Sequence, residues 1–92
     1  MTSAQARRLV EGQGFRCALT GEMLTSVTAT IDHITPLSRG GPHILANAQV
    51  VAAYVNAAKG QMTNDEFIAM CVAVARLHGP RVAHDDDTHL DD

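Results

Sequence analysis

Apolar and polar positions fall into distinct regimes along the chain. Ala4, Ala6, Leu9 and Val10 recur at helical spacing behind Ser3, which the pattern predicts as the cap, and Gly12-Gln13-Gly14 supplies a flexible end. Phe15-Arg16-Cys17 and Glu22-Met23-Leu24 flank a turn at Thr20-Gly21 and predict a short hairpin. Val27 to Thr35 is rich in β-branched residues and predicts a strand stopped by Pro36. Ser38-Arg39-Gly40-Gly41-Pro42 is a turn cluster that opens an irregular loop. Gln49-Val50-Val51 predicts a second short strand, and a helix follows from about Ala52 to Lys59, stopping at Gly60.

The last element has the sharpest boundaries. Thr63-Asn64-Asp65-Glu66 matches the S/T-x-x-E pattern in which two side chains satisfy each other's orphan amides, and Leu77-His78-Gly79-Pro80 marks the far end. Its middle, Phe67 to Ala75, is apolar on every face, as in helices that are buried or paired. Two explanations stay open. Ala69, Ala73 and Ala75 are good helix formers in their own right, and helix 64–78 would equally suit a protein partner or a second copy of the chain.

Composition narrows the class. The 92 residues allow one small domain, placed here at 1–80, and aromatics at 3% leave the core to Ala, Val, Leu, Ile and Met. So few rings also argue against single-strand binding by base stacking. The net charge of −3 divides unevenly. Residues 81–92 carry five aspartates against Arg81, whereas residues 1–80 hold six Lys or Arg and five Asp or Glu. The acidity therefore belongs to a tail expected to be disordered, and the body is nearly neutral. No strongly basic footprint nominates a nucleic acid. Cys17 and Cys71 have no partner at framework spacing, which suits a reducing compartment. The run from Phe67 to Ala75 is far shorter than the roughly 20 residues that cross a bilayer. These features predict a soluble cytoplasmic protein with no membrane contact.

Chemistry concentrates in the middle of the chain. Asp32-His33 falls at the end of a predicted strand, Asn47 follows a glycine-containing loop, Asn56 lies on the next helix, and Lys59-Gly60 closes the unit. Singly, these are residues of surface turns and caps. In order, within one strand–loop–strand–helix unit, they resemble the HNH nuclease family, whose catalytic unit is the ββα-metal (His-Me) finger. The matching stretches are Ile31 to Gly41, Asn47 to Val51 and Asn56 to Gly60, and the resemblance spans residues 15–60, about half the chain.

The resemblance implies an α+β fold: a small ββα-metal HNH domain with flanking N- and C-terminal helices. It implies a DNA endonuclease that hydrolyses phosphodiester bonds, nicking one strand or cutting both, and that works in a bacterial or phage-infected cell. His33 would be the general base, since an imidazole titrates near working pH. Asp32 and Asn56 would hold one divalent cation acting as a Lewis acid on the phosphate and the departing oxygen. Asn47 would hold the loop so that His33 stays aimed. Hard oxygen donors suit Mg2+ or Mn2+ rather than Zn2+.

Many family members also grip a structural zinc with two CxxC pairs. Here those positions read Cys17-Ala18-Leu19-Thr20 and Ala52-Ala53-Tyr54-Val55, so three of the four thiols are missing and no structural zinc is expected. Packing of Leu19, Ala52 and Val55 would join hairpin to helix instead.

Arg39 and Lys59 are candidate phosphate contacts; a solvated loop arginine and a lysine complementing a helix end are the competing explanations. His43 reads as a surface histidine that could assist a leaving group. A different class is also open, a non-catalytic DNA- or protein-binding module on the same scaffold.

Overall fold

The computed structural model describes residues 1–79, in the order α1 (Ser3–Gly12), β1 (Ala29–His33), β2 (Ala48–Ala52), α2 (Ala53–Lys59) and α3 (Asn64–His78), with single 3-10 turns at Leu37–Arg39 and Leu45–Asn47. It is a small α+β domain of three helices and one two-stranded antiparallel sheet. The acidic segment 81–92, and the disorder expected of it, lies outside the described residues.

Helix α1 begins one residue earlier than its predicted cap. Thr2 is the cap: its hydroxyl accepts from the Gln5 amide at 3.1 Å, and the Gln5 side chain accepts from the Thr2 amide at 2.9 Å. Ser3 is thereby the first helical residue, because Gln stands three positions after Thr2 and completes the reciprocal box. The predicted hairpin reduces to one bridge between Arg16 and Met23, held by bonds from Cys17 N to Glu22 O and Leu24 N to Phe15 O, both 2.7 Å.

The first strand is shorter than its β-branched run. Val27 and Thr28 are drawn into a turn instead, where the hydroxyls of Thr25 and Thr28 accept from each other's amides at 3.2 and 2.9 Å. Val27 is 87% exposed as a result. Strand β1 then pairs with β2 in a register that sets Ala29 opposite Ala52, Ile31 opposite Val50 and His33 opposite Ala48.

Every residue of β2 is buried, and Val50 and Val51 each stabilise the fold by about 1.5–3 kcal/mol through apolar transfer. Its open edge is closed without a third strand. The Gln13 side-chain amide donates to Val50 O and accepts from Val50 N, both at 2.9 Å, in the manner of a neighbouring backbone. Around this strand Cys17, Leu24, Val50, Val51, Ala52, Val55 and Phe67 form one core, with Leu19 packed against it.

Cys17, Ala52 and Val55, with Leu19 against them, join the first turn to β2 and α2 by apolar contact. Cys17 Sγ lies 3.4 Å from the Ala52 amide and 3.5 Å from the Thr20 amide. Burial pushes this thiol up, but bonds from the Thr20 side chain and from the backbone of Ala52, Thr20 and Leu19 outweigh it and bring it below its ordinary value.

Helix α3 starts as its sequence predicts, with both halves of the Thr63–Glu66 box formed. Phe67 is its only buried residue. Ile68, Met70, Val72, Val74 and Leu77 are exposed, so the apolar run faces solvent rather than a core. No helix among the described residues is long and apolar enough to cross a membrane.

Candidate functional site

The end of β1 delivers two adjacent side chains into one cleft. Successive residues of a flat strand point to opposite faces, so Asp32 and His33 can share a cleft only if the strand stops there. It does. Ile34 N makes one last in-register bond to Asn47 O at 2.9 Å, but the return bond is missing: Ile34 O accepts from Asn64 N at 3.1 Å and Asn47 N turns to Ile44 O at 3.0 Å, so the chain leaves the ladder there. The cleft, about 400 Å³, is lined by Asp32 and His33 from β1, Asn56 from α2, and Pro36, Leu37 and Gln61 from the intervening loops.

Lys59 holds this break in place. It is 1% exposed, and its ammonium donates to Asp32 Oδ2 at 2.8 Å and to His33 O at 2.6 Å. The same Asp32 oxygen accepts from Gln49 Nε2 at 2.9 Å, and Gln49 in turn exchanges amide bonds with Asn64 at 2.8 and 3.0 Å. Asp32 is 7% exposed, so its buried charge is compensated by one cation and one amide on a single oxygen. Among the described residues nothing donates to Asp32 Oδ1 or to the Asn56 side chain, which leaves both with oxygen lone pairs free in a shared cleft.

Asn47 ties both ends of the loop that leads away from His33. Its Nδ2 donates to Thr35 O and to Pro42 O, and its Oδ1 accepts from Thr35 N, all at 2.9 Å. It is 8% exposed with both side-chain polar atoms engaged, so its part is to position the loop. Gly41 permits this approach, because a Cβ there would overlap the Thr35 carbonyl and lie 2.9 Å from Asn47 Nδ2.

Neither candidate phosphate contact is free. Lys59, the last residue of α2, is sealed in the ion pair with Asp32, its ammonium also donating to the His33 carbonyl at the end of β1. Arg39 lies on the surface but grips Glu66 with two bonds, 2.8 and 3.0 Å, and also donates to Gln61 O at 3.1 Å. Both cations therefore brace the loop and the helices through internal partners.

The Arg39 guanidinium, aided by the Thr63 amide, holds the Glu66 carboxyl at about 2, well below its ordinary 4.5. A folded-state value below the unfolded one means the contribution is complete above about pH 4.5 and is lost as pH falls toward 2. A carbon-detected titration of Glu66 should show a midpoint near 2 in the wild type. In Arg39→Ala it should move most of the way to 4.5; an unmoved midpoint would remove Arg39 as the cause.

His43 occupies a place that its sequence context did not reveal. Although exposed, it meets the general-base candidate directly, with His33 Nε2 and His43 Nδ1 3.1 Å apart and the two rings tilted by 49°. One ring donates and the other accepts, so the contact couples the tautomers of the two rings: His33 keeps Nδ1 free as a base only when it donates its Nε2 proton to His43. Loop residues follow no period, and Pro42 before His43 signalled only a turn. Gln49 was more legible, since an amide inside a fully buried strand needs a partner.

A separate groove of about 550 Å³ runs between α1 and β1, lined chiefly by Ala6, Val10, Phe15, Leu24 and Ala29; it brings together no pair of catalytic groups. Among the described residues no three His, Cys, Asp or Glu side chains converge as a metal cluster. In comparisons with known proteins, no family model and no curated protein matches the chain.

Proposed function

We propose that the protein is a metal-dependent DNA endonuclease of the HNH type, built on a ββα-metal finger with β1, β2 and α2 as its three elements. The observation that carries this reading is that Asp32, His33 and Asn56 line one cleft, where one carboxylate oxygen of Asp32 and the Asn56 amide have no hydrogen-bond partner among the described residues. Oxygen donors of this kind fit one Mg2+ or Mn2+ ion completed by water and phosphate oxygens. Such an ion, held by Asp32 and Asn56, would supply Lewis-acid stabilisation of the charge that builds up during phosphodiester hydrolysis.

The chain's own residues supply the rest. His33 takes the proton from the attacking water through Nδ1, in the tautomer whose Nε2–H is donated to His43 Nδ1. Asn47 keeps the loop after β1 from carrying His33 away, and Lys59 with Gln49 fixes the orientation of Asp32 and so aims its free oxygen. Lys59 and Arg39 are engaged internally, so neither is spare to contact a phosphate. DNA contacts are correspondingly few, which favours low sequence specificity.

Supercoiled plasmid is the direct test. Nicking should require Mg2+ or Mn2+ and stop on chelation. DNA binding with no cleavage under either ion would favour the other reading, a non-catalytic module on the same scaffold.

A further inference from the structure

We propose that His33 and His43 form a capture site for a zinc-class transition-metal ion, distinct from the oxygen site of Asp32 and Asn56, and that filling it silences hydrolysis. The capture depends only on the two rings; the silencing rests on the endonuclease reading.

Two imidazole nitrogens on one Zn2+, each about 2.0–2.1 Å from the metal in tetrahedral geometry, stand about 3.3 Å apart. His33 Nε2 and His43 Nδ1 are already 3.1 Å apart, so a small opening of the 43 loop admits the ion between them. Both rings line a second cleft of about 290 Å³ with Met1, Gln5, Ile44 and Leu45, which gives solvent ligands room to complete the shell. His43 is exposed and His33 half-buried, so an ion can enter without unfolding.

Donor chemistry separates the two sites. Imidazole nitrogen favours Zn2+ and its neighbours over Mg2+, whereas a carboxylate with an amide carbonyl favours the reverse. His33 borders both clefts, so one residue links them.

The proton balance shows why occupation silences the base. In the metal-free pair one ring's proton lies between the two nitrogens. On capture that proton moves to the other nitrogen of its own ring, and the lone pairs of His33 Nε2 and His43 Nδ1 bind the ion. His33 is then metallated on Nε2 and protonated on Nδ1, with no lone pair left to receive a proton from water.

Zinc chloride titrated into the full-length protein, followed by histidine ring nitrogens in long-range proton–nitrogen spectra, tests the capture. The signals of His33 Nε2 and His43 Nδ1 should move together and saturate with one ion. Outer-shell substitutions already cost about 10–100-fold in metal affinity. Loss of one of two direct ligands in His43→Ala should therefore raise the half-saturating concentration at least about tenfold, and His43→Gln should do the same with the loop kept polar.

In parallel, Zn2+ added to the Mg2+ nicking reaction should slow the wild type, while each His43 variant keeps its own zinc-free rate. Unmoved His33 and His43 rings at saturation, shifts confined to His78, His84 or His89, or undiminished affinity in both variants would overturn the capture site. Faster nicking with zinc would overturn the silencing. Ring shifts as expected in a protein that cuts no DNA in any metal would uphold the capture site and remove the endonuclease reading instead.

Discussion

His33→Ala is expected to nick supercoiled DNA about 10²–10⁴-fold more slowly than the wild type in Mg2+, the usual contribution of a positioned general base. The size follows from what the side chain alone can do. Asp32 is neutralised by Lys59 and hydrogen-bonded by Gln49, and the Asn56 amide is no base, so no other group facing the cleft can take a proton from water in its place. Because His33 is half-buried at the end of a strand, its loss should leave the fold intact, and thermal melting of the variant should match the wild type. Metal binding should also persist. A variant that loses less than about tenfold would assign proton removal to another group.

Lys59→Met carries the largest expected effect on stability. Truncating one partner of a buried pair leaves the other charge without compensation, which costs about 3–5 kcal/mol. Here that charge is Asp32, and the same substitution also strips the donor from the His33 carbonyl. In a domain this small each kcal/mol lowers Tm by about 4–8 °C, so the variant should melt at least roughly 12 °C below the wild type. The double variant Lys59→Met with Asp32→Asn should recover part of the loss, since it removes the stranded charge along with its partner. A drop of only a few degrees in the single variant would show that the pair does not hold the β1 end.

Much of this architecture was legible in residue order, and the parts that were not share a physical cause. Local rules located what depends on near neighbours. The Thr63–Glu66 box and the stop at Gly60 each follow from contacts within a few residues, and each stands as predicted, whereas the strand expected to run to Thr35 ends at His33. The same rules misplaced the α1 cap by one residue, because Thr2 and Ser3 are both good caps and only the Gln5 partner decides between them.

The strand expected from Val27 failed for a different reason. β-branched residues at the start of that run are held in a turn by threonine hydroxyls that compete with the ladder. What residue order left invisible was pairing across the fold. Lys59 reaches Asp32 over 27 positions, Arg39 reaches Glu66 over 27, and His43 meets His33 across a loop with no repeating pattern. A charged side chain looks the same in sequence whether it waits for a phosphate or is satisfied internally. Exposure of α3 belongs with these. An all-round apolar helix suggests burial, yet packing of the small body reaches only Phe67.

The central claim is that oxygen atoms of Asp32 and Asn56 jointly hold one hard divalent ion. Mn2+ added in small steps to isotopically labelled full-length protein tests it most directly, since the paramagnetic ion broadens nearby signals first. The account predicts early, parallel loss of the Asp32, His33, Asn56 and Gly60 signals, abolished in both Asp32→Asn and Asn56→Ala. Broadening confined to the aspartates of 85–92, or unchanged in those two variants, would contradict it.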